Sequence, residues 1–316
     1  MYYVGIDLGG TKIAAGLVDK QGKILAKAST STGKERPADE IIKDMAMLAK
    51  QVIDDYGIET TSVKSIGIGC PGIVNDKDGT LIYANNIPNL SNKNLRAGIQ
   101  RYINLPVILD NDANCAALAE SVAGAAKDVD HSVTITLGTG IGSGVIINGR
   151  IYSGMNNAGA ELGHMVIAMG GKKCNCGRSG CWEVYASATA LIEQVKEAIR
   201  KNPDSLIYRL VEGDLSKINA KVAFDAAKAG DSTAVEVINR YYTYVAEGII
   251  NTVNIFCPQV VVIGGGISKQ GEYLLKPIRE MVNKYMLFKG NSSMEIRTAK
   301  MGNDAGIVGA AMLGRD

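Results

Sequence analysis

The chain has 316 residues and a formal net charge of +2, with 46% hydrophobic and 21% charged residues. This composition is typical of a globular protein that forms one large domain or two of ordinary size. The small net charge argues against nucleic acid as a main partner, and no apolar run is long enough to span a bilayer. We find no N-terminal signal pattern and no cysteine framework of the secreted type, so we expect a cytoplasmic protein without membrane contact.

The first segment of the chain predicts a β-hairpin built around a glycine turn. Residues 2–7 and 13–18 read as apolar strands, and a third strand is predicted at 23–27. Because a second strand follows the glycines where a helix would be required, the pattern excludes a Rossmann or P-loop start. The turn carries four candidate phosphate-binding residues: Gly9, Gly10, Thr11 and Lys12.

Hydrophobic periodicity predicts the elements that follow. In the first half we expect a helix over 41–53, strands at 65–70 and 107–109, and an alanine-rich helix over 113–126. In the second half we expect strands at 133–137, 145–147 and 259–263 and helices over 191–199, 233–256 and 305–313.

The two halves contain a partial internal repeat. Residues 133–140 align with residues 4–11, and a second strand follows each copy. Two strand–glycine turn–strand units imply two related lobes. We predict a small lobe of residues 1–121 completed by the returning C-terminal helix at about 302–316, and a large lobe of residues 122–301.

Three glycine turns each follow a strand, and they predict nucleotide binding. Glycine lets successive backbone N–H groups approach phosphate oxygens, although a single turn of this kind also occurs in ordinary hairpins. Asp7 ends the strand before the first turn, where a carboxylate suits a magnesium ion held through water; capping of the turn is the alternative. The second and third turns contribute Gly138, Thr139, Gly140, Gly264, Gly265 and Gly266.

The segment 161–183 predicts a structural zinc site. Four protein ligands close a tetrahedral zinc site and leave no open position for chemistry. The alternative is three reduced cysteines and a polar histidine in a glycine-rich loop. Glu161 and Glu183 stand at the two ends of the segment. The proposed zinc loop is residues 164–181, and its ligands are His164, Cys174, Cys176 and Cys181.

Residues 7–12, 137–142 and 161–183 together resemble the ROK (repressor, open reading frame, kinase) family of the actin-like ATPase superfamily. The resemblance extends over essentially the whole chain. It implies an α/β fold of the two-lobed actin-like ATPase (ribonuclease H-like) type, with duplicated βββαβα-type lobes and a structural zinc loop.

The same resemblance implies the roles of individual residues. Asp112 matches the catalytic base; a helix N-cap is its alternative role, and Asp110 is its local competitor. His164 is expected to place one ring nitrogen on zinc and the other toward a sugar hydroxyl. The candidate sugar contacts are Asn111, Glu161, His164 and Glu183, with Gly72 and Asn86 as weaker candidates that are equally consistent with turn residues.

The activity that the resemblance implies is an ATP-dependent hexose kinase, transferring the γ-phosphoryl group to the 6-hydroxyl of glucose, with ATP, Mg²⁺ and structural Zn²⁺. Mannose, fructose, N-acetylmannosamine and N-acetylglucosamine are alternative acceptors.

Two other classes of protein are less consistent with the sequence. A sugar-sensing repressor of this family would need a DNA-binding module before Asp7, and superfamily chaperones and filament proteins lack the zinc loop. Trp182, the only tryptophan, is expected to pack beneath that loop, with a role in sugar specificity as the alternative. A homodimer or dimer of dimers is expected from the family alone.

Overall fold

The computed structural model describes residues 1–84, 86–289 and 294–315, with the backbone alone at residue 156. Its contacts divide the chain into two compact units. The first consists of Met1–Thr134, Gly144–Ala160 and Lys300–Asp316, and the second of Ile135–Ser143 and Glu161–Ala299. The lobe boundaries at residues 121 and 302 stay a prediction.

The strands of the described residues form two five-stranded sheets and one three-stranded sheet. In chain order they are β1 (Tyr2–Leu8), β2 (Lys12–Asp19), β3 (Ile24–Ser31), β4 (Val63–Cys70), β5 (Ile73–Asn75), β6 (Thr80–Tyr83), β7 (Lys93–Asn94), β8 (Val107–Asn111), β9 (Ser132–Leu137), β10 (Ile141–Ile147), β11 (Arg150–Tyr152), β12 (Val260–Gly264) and β13 (Glu295–Thr298).

The helices are amphipathic or rich in small residues, as their positions on the sheets require. In chain order they are α1 (Ala38–Tyr56), α2 (Leu95–Gln100), α3 (Asp112–Val122), α4 (Glu183–Ala186), α5 (Ala188–Lys201), α6 (Leu206–Leu210), α7 (Ala220–Lys228), α8 (Ser232–Phe256), α9 (Glu272–Tyr285) and α10 (Ala305–Met312). No helix in the described ranges combines the length and the apolar character needed to cross a membrane.

The two large sheets have matching topology. Their strand orders are β3-β2-β1-β4-β8 and β11-β10-β9-β12-β13. In the first sheet, β1 pairs antiparallel with β2 and parallel with β4, which pairs parallel with β8. The first sheet therefore places a hairpin and its glycine turn beside a parallel strand, which confirms the predicted hairpin. The second sheet repeats the strand order, with β10 and β12 on either side of β9, which confirms the internal repeat.

Helix α10 packs within the first unit at unusually close range. A Cβ atom added to Gly5 would lie 1.9 Å from the carbonyl oxygen of Ile307, and one added to Gly67 would lie 1.7 Å from that of Ala310. On the opposite side, a Cβ on Gly309 would lie 1.7 Å from the carbonyl oxygen of Cys115. Glycine is therefore required where α10 meets β1, β4 and α3, because backbone atoms occupy the space of any side chain.

The prediction that the alanine-rich helix reaches residue 126 is wrong, because α3 ends at Val122. The carboxylate of Glu120 is buried and accepts hydrogen bonds from the backbone N–H groups of Ala125, Lys300 and Met301. A continuing helix would remove the Ala125 contact. Tertiary hydrogen bonding to a buried carboxylate thus overrides the helix propensity of alanine.

Two further differences concern strands. The third strand begins at Ile24 and continues to Ser31, beyond the predicted residue 27, because it pairs with the whole length of β2. The small sheet β5-β6-β7 was not predicted. Its strands have two to four residues, too few for an alternating pattern to emerge.

Candidate active site

The first glycine turn joins β1 to β2 and is stabilised by hydrogen bonds within the turn and from Thr32. The backbone N–H of Gly9 donates to the carbonyl of Lys12 at 3.0 Å. The hydroxyl of the buried Thr32 donates to the carbonyl of Gly9 at 2.6 Å, and its N–H donates to the carbonyl of Thr11 at 3.0 Å. Thr32 gave no sequence signal, yet it holds the conformation of this candidate phosphate loop.

Asp7 lies half-buried at the end of β1, directly before this turn. A Cβ added to Gly306 on α10 would lie 2.5 Å from its Cγ atom, so only glycine allows the carboxylate its place. Burial raises the pKa of Asp7, and the charges of Lys27 and Lys12 oppose that rise. Because a bound cation would offset the same desolvation, the carboxylate fits a water-mediated magnesium contact, and this role stays a prediction.

The three polar residues 110–112 at the start of α3 differ in their hydrogen bonds and in their exposure. Asn111 is the N-cap, since its Oδ1 accepts from the N–H groups of Ala113 at 2.8 Å and Asn114 at 3.3 Å. Asp112 is the first residue of the helix and is exposed. The cap alternative for Asp112 is therefore weakened, because Asn111 performs that role.

Asp110, the competitor for the role of base, is 7% exposed. Its Oδ1 accepts hydrogen bonds from the N–H of Asn111 at 2.7 Å and from Nδ2 of Asn114 at 2.8 Å. Burial raises the pKa of Asp110, and these hydrogen bonds oppose the rise. A buried carboxylate that orders the helix start fits a positioning role, whereas Asp112 is exposed, as a base that meets a substrate hydroxyl must be. Both roles stay predictions.

Gly72 and Asn86 both lie close to other candidate residues of the first unit. Gly72 has φ +117°, and an added Cβ would lie 2.0 Å from the carbonyl oxygen of Tyr83. Its own carbonyl accepts a hydrogen bond from Nδ2 of Asn111 at 3.1 Å. The Cβ of Asn86 lies 3.3 Å from a Cβ built on Gly10. Sugar contacts by Asn111, Gly72 and Asn86 stay predictions.

The four proposed zinc ligands lie together in the second unit. Their ligand atoms are all within 4.8 Å of one another. Nδ1 of His164 is 3.6 Å from Sγ of Cys174, and Sγ of Cys176 is 3.6 Å from Sγ of Cys181. Tetrahedral zinc, at about 2.3 Å from sulfur and about 2.0 Å from nitrogen, places its ligand atoms about 3.5–3.8 Å apart. The Cys₃His donor set therefore fits zinc.

The thiols of this cluster need a cation to ionise together. Burial, followed by hydrogen bonds to the neighbouring thiols, raises the pKa of Cys181 to about 12, and burial also raises the pKa of Cys174. The backbone N–H of Arg178 lowers the pKa of Cys176. Zinc would supply the positive charge that stabilises three adjacent thiolates.

Glu183 lies between the zinc cluster and the second glycine turn. Its Oε2 accepts a hydrogen bond from the N–H of Ile141 at 3.0 Å, and its Oε1 is 3.9 Å from Sγ of Cys174. Burial raises the pKa of Glu161. The charge of His164 opposes this rise, and the charge of Glu183 adds to it. The structure therefore brings two of the predicted sugar contacts, Glu161 and Glu183, close to the proposed zinc ligands, of which the third, His164, is one.

The second and third glycine turns are also brought together. The carbonyl of Gly138 accepts a hydrogen bond from the N–H of Ala188 at the start of α5, at 2.8 Å. Gly265 has φ +83°, and an added Cβ would lie 2.4 Å from the carbonyl oxygen of Leu137. Both turns therefore adjoin the end of β9, and nucleotide binding by them stays a prediction.

Trp182 is fully buried, and it packs against α8. A Cβ added to Gly248 would lie 2.0 Å from Cε2 of its indole ring, and Nε1 donates to the carbonyl of Tyr244 at 2.8 Å. The packing interpretation is confirmed, and any influence of Trp182 on sugar specificity stays a prediction.

Gly140→Ala tests whether Glu183 holds the sugar. The added Cβ would lie 2.1 Å from Oε2 of Glu183, so the carboxylate must move. We expect glucose affinity without nucleotide, measured by calorimetric titration, to fall at least about tenfold, since one charge-assisted hydrogen bond contributes about 1.5–3 kcal/mol. The control is Gly138→Ala, in the same turn, where nothing lies within 4 Å of an added Cβ; equal loss in both variants would contradict the assignment.

Two sheets of matching topology, each with a glycine turn after its first strand, define an actin-like ATPase fold. The Cys₃His cluster beside the second turn is compatible with a zinc site. The chain belongs to the ROK family, whose sequence profile matches residues 3–316. It is 39% identical to a glucokinase of Thermotoga maritima over 98% of this chain and 96% of the relative.

Solved structures of the same family have the same fold. A ROK glucokinase of Streptomyces griseus in complex with glucose and AMPPNP is 34% identical, with a TM-score of 0.81 over 100% of this chain and 99% of the other. A ROK hexokinase of Thermus thermophilus is 33% identical, with a TM-score of 0.85 over 99% and 97% of the two chains.

Proposed function

We propose that the protein is a glucokinase that transfers the γ-phosphoryl group of ATP to the 6-hydroxyl of glucose. The observation that carries the proposal is the position of Glu183. It joins the second phosphate loop to the zinc cluster, through Ile141 on one side and Cys174 on the other. Full-length similarity to glucokinases, one of them in complex with glucose and AMPPNP, supports the same reaction.

Phosphoryl transfer requires positioning and charge stabilisation more than covalent chemistry. The N–H groups of Gly9 and Gly138 donate within their own turns. In this proposal the other backbone N–H groups of each glycine turn donate to phosphate oxygens. Lys12 adds a positive charge, and Asp112 accepts the proton of the attacking hydroxyl. Asp7 would hold magnesium through water, and the bound ion would neutralise charge on the phosphate oxygens.

The zinc cluster takes no part in the transfer in this proposal. Its four ligands are all protein groups, so the metal keeps no open position. With one ring nitrogen on zinc, His164 would keep the other for a sugar hydroxyl, in a fixed tautomer and ring orientation. Glu161, Glu183 and Asn111 complete the set of groups that bind the sugar.

Purified protein tests the proposal directly. With ATP and Mg²⁺ we expect phosphorylation of glucose, and a higher kcat/KM for glucose than for mannose, fructose, N-acetylmannosamine or N-acetylglucosamine, measured by coupled release of ADP. A higher efficiency for one of the other sugars would make that sugar the acceptor. No transfer to any of the five would contradict the assignment as a sugar kinase.

The expected homodimer or dimer of dimers is tested separately. Light scattering gives the mass of the protein in solution, which is compared with the mass of one chain.

A further inference from the structure

The end of strand β4 lies against the start of the helix that carries Asp112. In the first sheet, Gly69 of β4 pairs with Asp7 of β1 on one side and with Asp110 of β8 on the other. Gly69 is therefore at the same level of the sheet as these two acidic residues. The first turn of α3 packs over this position, since a Cβ atom added to Gly69 would lie 3.8 Å from the Cα atom of Asp112.

Side chains alternate along β4, as expected for a strand that is covered on both faces. Ile66, Ile68 and Cys70 belong to the core cluster on one face. Gly69 faces α3 on the other, and a Cβ atom added to it would lie 3.2 Å from Sγ of Cys115. The backbone of Gly69 is that of a regular strand, so its conformation alone would allow alanine. The close approach of α3 therefore favours glycine here.

Cys115 connects this contact to the proposed base. It is fully buried and lies three residues after Asp112 in α3, so the two residues are neighbours on one side of the helix. The helix is continuous and hydrogen-bonded between them, and its first turn moves as a unit. A displacement of the Cys115 sulfur away from β4 would therefore carry the carboxylate of Asp112 with it.

Two other glycines contact the start of α3 through backbone atoms. A Cβ atom added to Gly144 of β10 would lie 2.7 Å from the carbonyl oxygen of Ala113, and one added to Gly309 of α10 would lie 1.7 Å from that of Cys115. A side chain at either position would displace the main chain itself. At Gly69 the nearest atom is instead a side-chain sulfur, which a second substitution can remove. The contact between Gly69 and Cys115 can therefore be tightened and then relieved by changing these two residues alone.

We propose that Gly69 and Cys115 are positioning residues for phosphoryl transfer, because the packing of the Cys115 thiol against Gly69 sets where the carboxylate of Asp112 stands. A general base must lie within about 2.6–3.2 Å of the group whose proton it accepts. A misplacement of about 1 Å can cost about 100-fold in rate. Gly69 and Cys115 are buried, so they act on the reaction through Asp112. The inference rests on the proposed function as a sugar kinase.

The test compares Gly69→Ala, Cys115→Ala and the variant with both substitutions, at saturating glucose and ATP. In Gly69→Ala the new methyl group lies too close to the sulfur, so the start of α3 must shift by a few tenths of an ångström. We expect kcat to fall about tenfold, with KM for glucose and for ATP within about twofold of the parent. In the double variant the sulfur is absent, and the nearest remaining atom is Cβ of residue 115 at 3.5 Å, an ordinary contact. We therefore expect its kcat to return to within about twofold of the Cys115→Ala value.

Cys115→Ala alone opens a small gap without pushing α3 away, so its kcat should fall less than that of Gly69→Ala. The control is Gly69→Ala combined with Cys70→Ala. Cys70 is also a fully buried thiol, but it belongs to the core cluster on the other face of β4, so its removal should not restore kcat. The thermal unfolding midpoint of each variant separates a loss of stability from a loss in kcat.

Three results would overturn the inference. One is a folded Gly69→Ala protein whose kcat stays within about twofold of the parent, too little for a misplaced base. The second is a loss that appears in KM for glucose while kcat is kept. The third is a kcat loss that Cys115→Ala does not relieve, or that Cys70→Ala relieves equally. If Gly69→Ala does not fold, Cys115→Val crowds the same contact from the helix side, and a kcat within about twofold of the parent would then overturn the inference.

Failure of the proposed function gives a different result. A parent that phosphorylates none of the sugars would show that the proposed function is wrong before any variant is compared. An active parent combined with one of the three results above would show that the function holds and that the positioning role does not.

Discussion

Asp112→Asn should lower kcat for glucose by at least about 100-fold, because loss of a general base typically costs two to four decades. Asparagine has nearly the same shape and can still accept the hydrogen bond from the N–H of Ala113, 2.8 Å from Oδ1 in the parent. It cannot accept the proton of the attacking hydroxyl. Steady-state rates at saturating glucose and ATP measure the effect, and an unchanged thermal unfolding midpoint shows that the fold is retained.

Asp110→Asn is the contrasting variant. Asp110 is buried and accepts hydrogen bonds from Asn111 and Asn114, so its replacement should lower the unfolding midpoint while costing less in kcat than Asp112→Asn. The base assignment is wrong if Asp112→Asn stays within about tenfold of the parent, well short of the usual cost of losing a base. A larger kcat loss for a well-folded Asp110→Asn protein would move the role to Asp110.

The Cys176→Ala substitution should abolish zinc binding and at the same time lower the stability of the fold and the affinity for the sugar. Cys176 is the exposed member of the cluster, so the substitution creates no buried cavity and its effect passes through the metal. Structural zinc contributes folding free energy outright. We expect zinc content to fall from one to near zero per chain and the unfolding midpoint to fall. Glucose affinity should fall at least about tenfold, the cost of one charged hydrogen bond, because the metal no longer holds the loop that positions His164 and Glu183.

Metal analysis by mass spectrometry, thermal unfolding and glucose titration measure the three effects on one preparation. Cys257→Ala is the matched control, since Cys257 is also exposed but lies outside the cluster at the end of α8. It should keep zinc and sugar affinity. A Cys176→Ala protein that loses zinc yet binds glucose normally would contradict the role assigned to the metal.

Local chemistry made several features predictable. The glycine turns between short apolar strands predict hairpins, since no helix follows them, and the spacing of three cysteines and a histidine predicts a metal cluster. The hairpin is confirmed, and the three cysteines and the histidine lie together as a donor set that fits zinc. The zinc ligands lie within one short segment, so the chain needs little long-range folding to bring them together.

Features that depend on distant parts of the chain were not predictable. Glu120 ends α3 early because it accepts hydrogen bonds from Lys300 and Met301, about 180 residues away. Gly306 leaves room for Asp7, and Thr32 braces the first glycine turn. A lone threonine, glutamate or glycine carries no pattern of its own, so only the folded contact reveals its role.

The sequence by itself determined the glycine hairpins and the metal donor set, because turn chemistry and ligand type are local properties. The class of fold and the candidate base followed from the resemblance of its motifs to the ROK family. Only the tertiary structure decided which of the neighbouring polar residues is the cap, which is the buried support and which is exposed: Asn111, Asp110 and Asp112. It alone placed the thiol of Cys115 against Gly69 at the end of β4. The physical reason is that burial and proximity arise when segments pack, and their energies depend on neighbours that the local sequence does not specify.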